Sequence, residues 1–316
     1  MTDNNYLNKR VFMKNIEKQT IENIDETAGR CLDQMEEQLF RLAERAVDDY
    51  LVDRGLKSME AVAEKVDLNQ VEILPEDSTR LKGNAGSFNI FDGKIRMMEI
   101  NSRLHFIKHS IHELLHSKAS LIFEVDGVTV GQTYGLAMHE LAADCYYLVQ
   151  TSEALTEKMA IDIYEGLLKS KHEELVGLCG EEILEQAELR KIYPRLFGRE
   201  TVVVQIDNIN SDGYDFVETH YTYGEQRRYL DELVTRVAQT KGVESSQVYD
   251  LMMQAAFNPK EKISVLESWL DGTFGEGFYR NLGAIDGSVE DFAPVREYLD
   301  RCLENNNNKV VNDGRV

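Results

Sequence analysis

The chain has 316 residues, 42% of them hydrophobic, which is enough for one large domain or two ordinary ones and too apolar for a disordered chain. Lys and Arg number 35 against 56 Asp and Glu, a formal charge of −21, which argues against nucleic acid and anionic membrane surfaces as partners because both need a basic face. Cys31, Cys145, Cys179 and Cys302 are scattered without a CxxC pair, and no signal-type or membrane-length apolar run occurs, so a reduced, cytoplasmic protein is expected, with leaderless export compatible.

Residues 14–66 carry apolar side chains at helical spacing, among them Leu32, Met35, Leu39, Leu42, Ala43, Ala46 and Val47, and are expected to be helical. Residues 70–101 change character. "VEILP" is a short apolar run stopped by Pro75, and "GNAGSFNIFDGKIRMMEI" places a hairpin signal, Asp92-Gly93, between strand-like flanks. Residues 103–119 read as a helix, and "SLIFEVDGVTVGQTY" as a second strand pair turning at Asp126-Gly127. "GLAMHELAADCYYLVQ" is expected to resume the helix, with Cys145 in its core face. Helices follow at 156–170, 172–190, 225–241, 245–256, 261–270 and 289–304, interrupted by "VVVQIDNINSDGYD", read as a loop with at most one short strand. The Asn-rich tail is expected to fray.

The expected fold class is α+β: a mostly helical domain with a small twisted sheet and a helical C-terminal subdomain. The expected division is 1–152 for the N-terminal helices, sheet and site helices, 153–305 for a helical subdomain closing the cleft, and 306–316 for a flexible tail.

At about 100° per residue, Leu104, Ile107, Ile111, Leu114 and Leu115 share one side of the 103–119 helix. His105, His109, His112 and His116 line the other, with Glu113 beside them. His112-Glu113-Leu114-Leu115-His116 is an HExxH sequence. Two imidazoles one turn apart can share a tetrahedral zinc ion, and the intervening Glu can reach a water at an open metal position, whose pKa zinc lowers towards about 7. Glu140 lies 24 positions after His116 and forms an i, i+4 pair with Asp144 on the expected second helix. Glu140 is placed to complete a two-His, one-Glu triad, and Asp144 to accept Nδ1–H from a ligand imidazole.

HExxH followed by ExxxD resembles the gluzincin, or thermolysin-like, metallopeptidases. The resemblance covers roughly residues 83–150. It implies a zincin-like domain with Zn²⁺ on His112, His116 and Glu140, Glu113 as general base and acid, and Asp144 behind a ligand imidazole, most naturally His112. It also implies an edge strand ahead of the active helix, where "GNAGSFNI" stands, to pair with an extended substrate. His139 occupies the position where thermolysin-like enzymes often carry Asn and is read as a buried polar neighbour of the site. An oxyanion donor is also required. Tyr134 resembles the Tyr-Gly placement of toxin-type relatives, whereas His220, Tyr221 and Tyr223 stand where thermolysin-like enzymes keep a His or Tyr. Both places remain open, with Tyr223 or His220 favoured within the cluster.

The expected function is therefore zinc-dependent hydrolysis of a peptide or protein substrate. Two alternatives stand beside it: a non-catalytic metal-containing binding module, with His139 or His109 closing the metal shell, and a zinc amidohydrolase acting on a small amide.

Overall fold

Among the described residues the first helix begins at Asp33, whose carboxylate accepts from the Glu36 amide at 2.8 Å while the Glu36 side chain accepts from the Asp33 amide at 2.8 Å. This reciprocal cap starts α1 (Gln34–Asp53), which buries Leu39, Leu42, Ala43, Val47 and Leu51 along one stripe. The computed structural model describes residues 29–75, 78, 81, 86–89, 92–126, 128–141, 143, 145–170, 172–210, 213–287 and 292–313, with the side chains of 207–210, 213–215 and 304–313 outside that description. Of the stretch expected to be helical over 14–66, residues 14–28 lie outside the described residues, Arg30 pairs with Ile73, and after α1 a turn at Gly55 (φ 65°) leads to a single helical turn, α2 (Met59–Val62).

β1 (Val71–Leu74), β2 (Gly86–Asn89) and β3 (Lys94–Met98) form a small sheet in the order β1-β3-β2. β1 runs parallel to β3, and β2 and β3 are antiparallel across the Asp92-Gly93 turn, with Gly93 at φ 66°. β2 is therefore an edge strand, as expected.

Ser102 caps α3 (Arg103–Lys118) by accepting from the His105 amide at 3.0 Å. The helix packs between α1 and a later helix and against β2 and β3. It is consequently buried on nearly every side, including Lys108, His109, His112, Glu113 and His116.

β4 (Ser120–Val125) and β5 (Val128–Tyr134) form the expected second hairpin. The sequence that follows departs from expectation. In place of a helix come β6 (Ala137–Glu140) and β7 (Cys145–Tyr147), completing a sheet in the order β4-β5-β6-β7. Gly135 at φ 69° turns the chain, and Ala137 and His139 point in while Met138 and Glu140 point out, a period of two that only a strand supports. Cys145, expected in a helical core, is exposed on β7.

α4 (Val149–Ser170) then runs continuously across positions 152 and 153, where the division was expected. α5 (Glu173–Ile192) follows. The segment read as a loop forms a long hairpin, β8 (Thr201–Asn210) and β9 (Gly213–His220), because its β-branched residues pair across the turn despite the Asn and Asp between them. The remainder is helical: α6 (Gly224–Lys241), α7 (Ser245–Phe257), α8 (Pro259–Phe274), α9 (Phe278–Ile285) and α10 (Ala293–Asp313). α10 extends into the tail expected to be flexible, since adding residues to a helix anchored by buried Val295 and Leu299 costs less than starting one.

The fold is thus α+β and mostly helical, with small sheets. One cluster of buried side chains runs from Leu32 to Leu299. Among the described residues no helix is long and apolar enough to cross a membrane.

Candidate metal centre

His112 and His116, one turn apart on α3, aim their Nε2 atoms at a common point, 3.1 Å from each other. The third group there is Glu153 from the first turns of α4. Its Oε2 lies 3.2 Å from His112 Nε2 and 3.2 Å from His116 Nε2. All three residues are buried, and among the described residues they are the group of His, Cys, Asp and Glu side chains close enough to hold one ion.

The dimensions fit a tetrahedral zinc site. Metal–ligand distances of about 2.0–2.1 Å require ligand atoms about 3.3–3.4 Å apart, close to the separations found. The charges fit as well. Glu113, Glu153 and Glu157 are buried together with the ammonium of Lys108, an acidic excess that a proton on His112 or a bound cation would offset. Two nitrogens and a carboxylate oxygen so close together must share a proton or a cation. Burial disfavours charge on His112, but its bonds to Glu153 and Glu157 outweigh that and hold it up at about 10. Glu153 is likewise opposed by burial and held well below the usual carboxylate range by His116 and His112.

Glu140 is not part of this group. It is exposed on β6, where Tyr147 donates to it across 3.5 Å. The expected ligand role fails because the segment is a strand and every second side chain faces away from the core. Asp144 lies outside the described residues. The part expected of it is filled by Glu157, whose Oε2 lies 2.8 Å from His112 Nδ1. A carboxylate there fixes the tautomer that leaves Nε2 free to bind. His116 Nδ1, by contrast, is buried without a hydrogen-bond partner among the described residues.

The start of α4 is fixed from outside. The buried carboxylate of Asp286 accepts from the amides of Gln150 at 2.7 Å and Thr151 at 2.9 Å, so it caps the helix that carries Glu153. Ser152, next to Glu153, donates to Tyr134 O at 3.0 Å and accepts from the Leu136 amide at 3.1 Å, tying the β5–β6 turn to α4.

Glu113 is buried at the junction with β2. A Cβ on Gly86 would lie 2.7 Å from Glu113 Oε1, so only glycine lets the strand approach this closely. Burial raises the Glu113 carboxyl, with the two imidazoles opposing.

Both expected tyrosine positions reach the site. The Tyr134 ring meets His116 edge-on with centroids 6.0 Å apart. Tyr223 stacks on His112 with ring centroids 5.9 Å apart. Tyr223 sits in the left-handed region at φ 55°, ψ 33°, immediately before α6. Burial raises both phenols, so both stay protonated donors.

Three other candidates stand apart. His220 is exposed at the end of β9, 3.5 Å from Glu218. Tyr221 packs on Tyr164. His139 bonds Gln132 at 3.2 Å and stacks on Tyr146. His105 and His109 face each other with Nε2 atoms 2.7 Å apart, one turn beyond the triad.

The residues that sequence reasoning missed are Glu153 and Glu157. They too form an i, i+4 pair, in "TSEALTEKM". That signal was available, but it lies 37 positions beyond His116 and so behind the nearer pair in HELAAD. Comparison of the chain with models of protein families, with curated proteins and with solved structures finds no match in any of the three.

Proposed function

We propose that the protein is a zinc-dependent peptidase of gluzincin type, with His112, His116 and Glu153 as the metal ligands. One observation carries this reading: two imidazole nitrogens from a single helical turn and one buried carboxylate oxygen lie 3.1–3.2 Å apart, with a further carboxylate, Glu113, between the two histidines in sequence. An N₂O donor set of these dimensions suits zinc.

Zinc held there supplies a Lewis acid that polarises a substrate carbonyl and acidifies water. The chain's own groups do the rest. Glu113 accepts the proton of the attacking water and passes it to the departing amine, from a buried position where the carboxylate is a stronger base than in water. Tyr223 or Tyr134, each a protonated phenol beside a ligand imidazole, donates to the developing oxyanion. The edge strand β2 runs against Glu113 at Gly86, which favours an extended peptide over a compact amide as substrate.

The non-catalytic alternative called for a fourth protein ligand. His109 is engaged with His105, and His139 with Gln132 and Tyr146, which weighs against either as a fourth ligand, and the three-residue group found among the described residues favours a position open to water or substrate. Metal analysis of the purified protein, with a peptide-library digest by wild type and Glu113→Gln, tests the proposal. Stoichiometric zinc with cleavage by wild type alone is expected. A protein with neither metal nor cleavage overturns it.

A further inference from the structure

Glu157 uses both carboxylate oxygens. Oε2 lies 2.8 Å from His112 Nδ1 and accepts from Lys108 Nζ at 2.8 Å. Oε1 lies 2.7 Å from the same Nζ and accepts from the Thr222 amide at 2.8 Å. Lys108 is 1% exposed and the Glu157 side chain 0%. A buried ion pair is a poor way to gain stability, because apolar side chains of similar volume usually do as well or better. Its retention beside a candidate metal ligand calls for another account.

We infer that Lys108 and Glu157 are positioning residues that hold a metal ligand and an oxyanion donor in one fixed relation. Oε2 orients His112. Oε1 anchors Thr222, and the next residue is Tyr223, whose ring stacks on His112. Lys108 contacts both oxygens and so fixes the carboxylate plane that serves the two sides. Tyr223 needs such a restraint, since a tyrosine occupies the left-handed region only when its surroundings impose it. Glutamine cannot take the place of Glu157. Its amide has one acceptor oxygen, while the Nδ1–H of His112 and the N–H of Thr222 each need one, and its NH₂ would face a donor. The inference rests on His112, His116 and Glu153 binding zinc.

The test compares Lys108→Met, Glu157→Gln and the double variant by zinc competition with a chromophoric chelator, by peptide turnover, and by apo-protein melting. Each single variant is expected to bind zinc about 10–100-fold more weakly and to lose kcat more than KM. The double variant carries neither buried charge, so its apo form melts near wild type, yet the zinc defect persists. That defect is smaller than the product of the two single losses, because both substitutions disable one unit. Wild-type zinc affinity in the double variant, or losses that simply multiply, overturns the inference. If Lys108→Met alone does not fold, the double variant decides by its affinity. A wild-type protein that takes up no zinc overturns the metal reading and this inference together, whereas intact zinc affinity in the double variant removes the inference alone.

Discussion

A carboxylate oxygen of Glu153 stands 3.2 Å from Nε2 of His116, although they lie 37 positions apart with a whole four-stranded sheet between them in the chain. Glu140, closer in sequence, is exposed on β6 and bonded to Tyr147. The two glutamates therefore predict opposite outcomes. Glu153→Ala, like His112→Ala and His116→Ala, is expected to abolish stoichiometric zinc, while Glu140→Ala keeps it. Atomic absorption on dialysed protein reads this directly, and zinc lost from the Glu140 variant but kept by the Glu153 variant would refute the assignment.

Glu113 approaches the imidazoles without joining the ligand group. Glu113→Gln is expected to retain zinc and to lose about 10²–10⁴-fold in kcat, the usual contribution of a positioned base. Steady-state kinetics on a cleaved peptide measures it, and turnover at the wild-type rate would remove Glu113 from the mechanism.

Gly86 fits against Glu113 because it has no Cβ. Gly86→Ala must shift either β2 or the Glu113 carboxylate, so turnover is expected to fall while zinc affinity is held within about threefold, since the ligand triad lies on α3 and α4. The same variant with full activity would show that β2 yields without consequence.

The two tyrosines differ in their contacts: Tyr223 stacks on His112, whereas Tyr134 meets His116 edge-on. Tyr223→Phe is expected to lower kcat by about 10²–10³-fold with little change in KM, the size of one lost oxyanion donor. Tyr134→Phe is expected to cost less than tenfold. A reversed ranking would make Tyr134 the donor.

His105 and His109 bond to each other, and burial, reinforced by the charge on Lys108, lowers both, His105 to about 4. An unfolded imidazole titrates near 6.5, so between that value and about 4 the unfolded chain binds the proton more tightly than the native state. The stability contribution is present above the unfolded value and lost as pH falls through this window. His105→Gln should flatten the loss by up to about 1.4 kcal/mol per pH unit. Urea unfolding of the chelator-treated protein at several pH values checks the sign, and a steeper acid loss in the variant would contradict it.

Much of this was legible without coordinates. His112, Glu113 and His116 are brought together by helical spacing alone, and a helix over 103–119 follows from its apolar side. The Asp92-Gly93 and Asp126-Gly127 turns mark their hairpins because those dipeptides tolerate the tight backbone, as Gly93 at φ 66° and Asp126 at φ 52° do. These are local consequences of chain geometry, and they survive packing.

What the sequence alone could not decide was which acidic pair, Glu140 with Asp144 or Glu153 with Glu157, meets the histidines. Both have helical spacing, and spacing carries no information about whether a segment becomes a helix. Pairing with β5 turned 137–140 into a strand, and Asp286, more than a hundred residues away, caps the helix that does form, at the amides of Gln150 and Thr151. The arrival of Lys108, Tyr223 and Gly86 at the same point is likewise a matter of long-range packing. Hydrogen bonds and burial between distant segments outweighed local propensity there, so only the tertiary structure could choose the third carboxylate.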